Sequence, residues 1–339
     1  MTEAMFYKII KGKEPTVQCF LCNHNCRIKD GRRGICQVRE NRDGTLYSLV
    51  YGRLISENVD PIEKKPVFHL LPGSLSYSIS TVGCNFRCRH CQNYDISQYP
   101  SMHSNEIIGN RRSPEQVVTS ARQQGCASIS YTYVEPTIFY EFALDTARLA
   151  AEQDIKNIFV SNGYTSPEAT RQIAPFLDAN NIDLKAFTDK FYREVCGARL
   201  QPVLNTITLM KELGVWVEVT TLIIPGWNDS DTELQDIASF IRSVDPNIPW
   251  HVTRFHPTYQ MTDRPATPTT TIKKAREIGL AAGLKHVYTG NMPDLEGENT
   301  YCSTCGATLI ARAGFSAKIT GLGNGTCQNC AAALAGVFK

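Results

Sequence analysis

Residues 81–93 read TVGCNFRCRHCQN and place Cys84, Cys88 and Cys91 in a C-x3-C-x2-C array. A glycine precedes the array, and Asn85, Arg87, Arg89 and Gln92 make the run polar. Packing in a core does not account for three cysteines so close together in such company. Three soft thiolates with no fourth in the run suit an iron–sulfur cube with one iron left open.

Downstream of the array the chain alternates between two periodicities. Residues 76–83, 127–134, 156–163, 181–187, 215–224, 250–257 and 285–290 read as strands. Between them, 113–125, 136–153, 166–178, 202–214, 231–244 and 270–283 read as helices. The helix at 113–125 opens with Ser as N-cap and Pro at its first position, and Pro175 bends the one at 166–178. At least six β-α units with buried-type strands imply a parallel sheet. No G-x-G-x-x-G follows an early strand, which counts against a dinucleotide-binding fold. The expected fold class is α/β, a partial (β/α)6-type barrel. In such barrels the chemistry lies at the C-terminal strand ends. There the sequence places the cysteine array, then Tyr133 and Glu135, Ser161 and Asn162, Asp183 and Lys185, and Arg254 and His256.

The 339 residues carry thirteen cysteines and a formal charge of +2. Nothing in that balance points to nucleic acid or an anionic membrane. No apolar run reaches the length of a membrane span, and the first residues lack an apolar leader core, so a cytoplasmic protein is expected. Short C-x2-C spacings in that setting favour metal over disulfides. Cys19, Cys22, Cys26 and Cys36 form one set, with Gly31 and Gly34 letting the loop return and His24 as a substitute ligand. Four thiolates suit zinc, the favoured reading, or a second iron–sulfur cluster. Cys302, Cys305, Cys327 and Cys330 form two knuckles of a zinc-ribbon-like module. Cys126 and Cys196 read as small buried hydrophobes. Residues 47–75 read as an irregular wrapping segment, with Lys64, Lys65 and His69 either lining a site or, the favoured reading, on a solvated loop face. The expected domains are an N-terminal four-cysteine module with the wrapping segment at 1–75, the barrel at 76–297 and the ribbon at 298–339.

The array followed by β-α units resembles the radical S-adenosylmethionine (radical SAM) superfamily, including an aromatic ring, His90, before the third cysteine. The resemblance implies that Cys84, Cys88 and Cys91 hold a [4Fe–4S] cluster and that S-adenosylmethionine binds the fourth iron. It also implies a 5′-deoxyadenosyl radical that abstracts hydrogen from substrate. The superfamily's Gly-Gly-Glu element corresponds to TYVEP here. Tyr133 and Val134 stand where the glycines would be, and Glu135 is kept. Asn162, Asp183 and Lys185 resemble positions that hold the ribose and methionine carboxylate in glycyl-radical activating enzymes. The IIPGW run resembles the element packing on adenine, and His256 a ribose contact. Over nearly its whole length the chain resembles the AmmeMemoRadiSam system radical SAM enzymes, which are related to pyruvate formate-lyase activating enzymes. That group implies Memo-like and AMMECR-type proteins as partners, and a flavodoxin- or ferredoxin-type protein is the expected electron donor. The substrate stays open between a small molecule and the protein loop of a glycyl-radical enzyme. A non-catalytic zinc scaffold is the remaining reading, disfavoured because the central array lacks the fourth ligand zinc wants.

Overall fold

The computed structural model describes residues 1–338. Eight strands, paired in strict chain order, form its central sheet. Strand β1 (Ser56–Pro61) lies at one edge, antiparallel to β2 (Leu75–Ser80). The remaining six are β3 (Ser128–Tyr131), β4 (Lys156–Ser161), β5 (Ala179–Asp183), β6 (Trp216–Ile223), β7 (Trp250–Arg254) and β8 (Val287–Gly290). From β2 to β8 every pairing is parallel. Parallel neighbours need a crossover, and each is a helix. In order these are α1 (Pro114–Gln123), α2 (Tyr140–Ala151), α3 (Pro167–Ile173), α4 (Leu200–Glu212), α5 (Asp231–Val244) and α6 (Thr269–Ala281). The order never reverses, so the C-terminal ends of β2 to β8 fall on one side of the sheet.

Local chemistry explains where the helices begin. Ser113 accepts from the Gln116 amide while the Gln116 side chain accepts from the Ser113 amide, a reciprocal cap that starts α1 at Pro114. Ser166 and Ser230 cap α3 and α5 in the same sense. Pro175 diverts α3 into a 3-10 turn over Ala174–Phe176, the expected bend. At Gly279 of α6 an added Cβ would lie 2.8 Å from the Trp250 ring, so glycine there lets the helix rest on the buried indole of β7.

Two expectations for residues 47–75 fail. First, the segment contains β1, which extends the central sheet. Second, Lys65 and His69 are 2% and 0% exposed, not solvated, whereas the Lys64 side chain is half-exposed. Lys65 pairs with Asp60 at 2.5 Å. His69 meets the Ala335 carbonyl through Nδ1 at 2.8 Å and the Tyr288 hydroxyl through Nε2 at 2.6 Å. This stretch enters the sheet's interior. Asn181 of β5 donates to the Pro66 carbonyl at 2.7 Å. Glu218 of β6, fully buried, accepts from the amides of Phe68 (3.0 Å) and His69 (2.8 Å), from Trp216 Nε1 (3.0 Å) and from His251 Nε2 (2.6 Å). A buried carboxylate is tolerated because donors replace the lost water.

The N-terminal residues form two small antiparallel sheets, one of Tyr7–Ile10, Thr16–Cys19 and Arg27–Lys29, the other of Thr2–Glu3, Arg39–Arg42 and Thr45–Ser48. A buried ion pair from Arg39 to Glu141 ties them to α2. After β8 a hairpin of Thr308–Ala313 and Ser316–Ile319 follows, with Thr300–Tyr301 beside it. Arg312 donates to the Phe68 carbonyl at 2.8 Å, and the Val337 amide to the His69 carbonyl at 2.7 Å. The C-terminal end of the chain therefore grips the interior segment.

Burial alone would raise the Glu218 pKa, but donation from His251 and the nearby amides outweighs it and holds the carboxyl down at about 2, against 4.5 for an ordinary glutamate. A depressed carboxyl stabilises the fold above its unfolded pKa. Its contribution is expected in full above pH 4.5 and is lost as pH falls toward about 2. Glu218→Ala should cost roughly 3 kcal/mol or more in urea unfolding at neutral pH, and this difference should shrink as the pH falls through that window.

Candidate active site

The chain leaves β2 at Ser80 and turns into the cysteine loop through Gly83, whose φ is +97°. A Cβ there would sit 2.6 Å from Val38 Cγ1 and 2.8 Å from the Cys36 carbonyl oxygen, so only glycine lets the loop start against the N-terminal strands. The loop is then pinned from the other side. The amides of Arg87 and Arg89 donate to the carbonyls of Cys196 and Val195, both at 2.9 Å. Those carbonyls belong to one π-helical turn, Tyr192–Cys196, which ends at left-handed Gly197. Such turns concentrate at functional sites.

Cys84, Cys88 and Cys91 line a cavity of about 1130 Å³. The same cavity is lined by Tyr133 and Glu135 after β3, Ser161 and Asn162 at β4, Asp183 and Lys185 at β5, Leu222 on β6 and Thr253 on β7. Asn291 to Leu295, after β8, and Ala313 to Phe315 of the C-terminal hairpin complete it. The expected convergence of strand ends is therefore present. No other cysteine lines this cavity. Cys196 is buried, as expected of it. The three loop sulfurs are not drawn together as around one ion. Among the described residues, only Cys302, Cys305, Cys327 and Cys330 bring their ligand atoms within 4.8 Å of one another. A wide three-thiol frame fits a cluster better than a single metal ion.

Glu135 is 3% exposed and already engaged. Its Oε1 accepts from the Thr137 hydroxyl (2.5 Å), the Thr137 amide (3.2 Å) and the Ser161 hydroxyl (2.8 Å), and its Oε2 from the Asn162 amide (2.6 Å). Burial pushes its pKa up against those donors. Asn162 carries the connection onward, donating from Nδ2 to Asn85 Oδ1 at 2.8 Å, inside the cysteine loop. Tyr133 has φ +63°, a conformation glycine adopts without strain. The replacement of the expected glycine thus keeps a glycine-like backbone. The Tyr133 side chain compensates by donating to Asp60 at 2.5 Å, with Lys65 Nζ 4.9 Å from the ring centroid. Asp183 and Lys185 pair at 2.8 Å with both residues facing the cavity. Burial drives the His90 imidazole down to about 3, with Lys185 adding to the effect, so the ring is neutral. Its Nδ1 is buried without a partner.

His256 does not join the site. Strand β7 stops at Arg254, Phe255 turns inward, and His256 is left exposed and outside the cavity lining. The IIPGW run also stays outside, and its Trp227 packs on Phe191 at 5.8 Å. Lys65 walls the cavity, the reading the sequence set second to a solvated loop face. Burial moves its ammonium down to about 8 despite the pull of Asp60. Ser97, 3.3 Å from Cys91 Sγ, was unmarked. Neither carries a local signal, since both matter only through partners distant in sequence or across a turn.

The sequence pattern of the Radical SAM superfamily matches residues 78–240, from within β2 to within α5. An uncharacterized protein of Methanocaldococcus jannaschii is 48% identical over 323 residues, covering 95% of each chain. Pyruvate formate-lyase 1-activating enzyme of Escherichia coli strain K12 is 21% identical over 166 residues, covering 48% of this chain and 66% of its own. Among solved structures, a radical SAM methyltransferase from Sphaerobacter thermophilus shares the fold, with a TM-score of 0.50 at 16% identity over 65% of this chain and 67% of that one.

Glu135→Gln turns one carboxylate oxygen into an NH2 that cannot accept from the Thr137 or the Asn162 amide, one of which faces each oxygen, so at least one of these contacts must break. Amide hydrogen exchange is expected to quicken in residues 84–93 and 161–165 of that variant. Unchanged exchange would mean the loop is held without Glu135.

Proposed function

We infer the chemistry from kinship: the chain belongs to the radical SAM superfamily, and it is a SAM-cleaving enzyme whose cysteine loop holds a [4Fe–4S] cluster. The observation that carries this reading is that three thiols, Cys84, Cys88 and Cys91, face one large cavity that no fourth cysteine lines. When bound, the cluster and S-adenosylmethionine supply one-electron cleavage of a carbon–sulfur bond and a 5′-deoxyadenosyl radical.

The chain's own residues hold, orient and enclose. Cys84, Cys88 and Cys91 would ligate three irons. Asp183 and Lys185 present a paired carboxylate and ammonium to the cavity and would bind the charged ends of S-adenosylmethionine. Asn162 and Glu135 act chiefly by fixing the loop, because their polar atoms are largely spent on one another and on Asn85. His90 stays neutral beside the third cysteine with its Nδ1 uncommitted. Hydrogen bonds to cluster sulfur tune its potential, and a neutral imidazole serves that role without adding charge. Ala313 to Phe315 and Asn291 to Leu295 wall the cavity and limit water.

The substrate we favour is a small molecule, since the C-terminal residues narrow the approach a protein loop would need. Kinship with activating enzymes supports the second reading, a glycyl-radical loop as substrate. The sheet is read as a partial barrel, and the C-terminal four-cysteine set as a closed structural zinc site. The AmmeMemoRadiSam grouping adds Memo-like and AMMECR-type partners and a cytoplasmic setting with a flavodoxin or ferredoxin donor. No helix among the described residues is long and apolar enough to cross a membrane.

Anaerobic incubation of the reconstituted protein with S-adenosylmethionine and a strong reductant should yield 5′-deoxyadenosine. Cys84→Ala, Cys88→Ala and Cys91→Ala should yield none. A wild-type protein that stays colourless and makes no 5′-deoxyadenosine would end this reading. Stripping the cluster with an iron chelator should leave about one zinc per chain, lost in Cys305→Ser.

A further inference from the structure

The two terminal cysteine sets differ in a way the sequence did not foretell. A tetrahedral zinc with bonds of ~2.3 Å holds its sulfurs about 3.8 Å apart. The C-terminal set meets this, with Cys302 to Cys330 at 3.6 Å and Cys305 to Cys327 at 3.7 Å. The N-terminal set does not. No three of Cys19, Cys22, Cys26 and Cys36 gather within 4.8 Å. Instead all four line a single cavity of about 20 Å³, with Leu21, Ile28 and Ile138 around them. Cys84, Cys88 and Cys91 likewise form no group within 4.8 Å.

The walls of this cavity carry what an anionic cluster would need. Arg39 is 2% exposed, lies 3.9 Å from Cys19 Sγ through Nη1, and has its Nε buried without a partner. Asn85 is 1% exposed and lines the same cavity, and its Nδ2 also has no partner. Unpaired buried donors are costly, and sulfur acceptors at the centre of the cavity would satisfy them.

The cavity also adjoins the first site. Asn85 is the residue after Cys84, and His24 Nε2 contacts its carbonyl at 2.8 Å. The Cys36 carbonyl lies where a Cβ on Gly83 would clash. A wall about one residue thick therefore separates the two cysteine sets.

We propose that Cys19, Cys22, Cys26 and Cys36 hold a second iron–sulfur cluster, in place of the zinc expected from spacing, and that it is the electron inlet to the cluster at Cys84, Cys88 and Cys91. A low-potential one-electron donor of the flavodoxin or ferredoxin class is oxidised by one electron. The N-terminal cluster takes that electron up and gives it to the neighbouring cluster, and no bond is made or broken. The inlet role rests on the radical reading above; the cluster itself does not.

The decisive protein is the triple variant Cys84→Ala, Cys88→Ala, Cys91→Ala, reconstituted anaerobically as the full chain. It should retain about four irons and four sulfides per chain, half the wild-type content, with one zinc. An iron-free triple variant, whether it carries a second zinc or none, overturns the proposal, and it does so even if wild type makes 5′-deoxyadenosine. Cys26→Ser supplies the reciprocal test, with retained zinc and far-UV circular dichroism as the check on folding. It should lose about half its iron, and its remaining cluster should no longer be reduced rapidly by reduced flavodoxin in stopped flow. Full iron content overturns the cluster assignment, and unchanged reduction overturns the inlet role. In reduced wild type the electron paramagnetic resonance spectrum should show two interacting spins, and a simple sum of the two variants' spectra would contradict the adjacency.

Discussion

One buried carboxylate organises the mouth of this sheet. Glu135 follows β3, yet most of its donors come from the next turn and the next strand end: Thr137, Ser161 and Asn162. Taking a carboxylate out of water is expensive, and only a full set of short hydrogen bonds offsets it. That requirement fixes β3 and β4 relative to each other at their C-terminal ends. It also aims Asn162 at Asn85, so the position of the cysteine loop is set by the sheet. On its far side the loop meets His24 and Cys36, and below it the π turn at Tyr192–Cys196. The loop has little freedom left, which a site that must hold a large inorganic group in one orientation requires.

The contrast between the cysteine sets follows from the same constraint. At the C-terminal end the sulfurs of Cys302, Cys305, Cys327 and Cys330 close to within a single ion's reach. In the N-terminal module Cys19 ends one strand of a three-stranded sheet, and Cys22 bridges to Thr165 beside the site. Strand geometry and docking on the sheet hold these sulfurs apart. Four cysteines at short spacing look alike on paper, and the surrounding scaffold decides how far their sulfurs stand from one another.

Much of the α/β core was legible because its strands are short apolar runs between capped helices, and these need only local sequence to be seen. The expected strands overshot their ends, as at 181–187 against Ala179–Asp183, because residues such as Lys185 continue the alternation after pairing has stopped. The same overshoot carried His256 into the expected site. Other features had no local mark. Lys65 and His69 sit in a run punctuated by Pro61, Pro66, Pro72 and Gly73, which reads as surface. They are buried because Asp60, Tyr288 and Ala335 receive them. The left-handed Tyr133 is equally invisible, since a tyrosine gives no hint of a glycine-like turn until Asp60 is seen to hold its hydroxyl.

The segment that fills the sheet's interior has its fastenings at the opposite end of the chain. Phe68 waits for Arg312, His69 for Ala335 and Val337. At about 5–20 residues per second of synthesis, the 244 positions between Phe68 and Arg312 take tens of seconds to emerge. During that interval the strands of the central sheet are made but the segment packed on them lacks its final clamps. The C-terminal hairpin and the residues after it are the last fastening. The end of the chain therefore governs when the cavity near its beginning receives its last wall, since Ala313 to Phe315 line it.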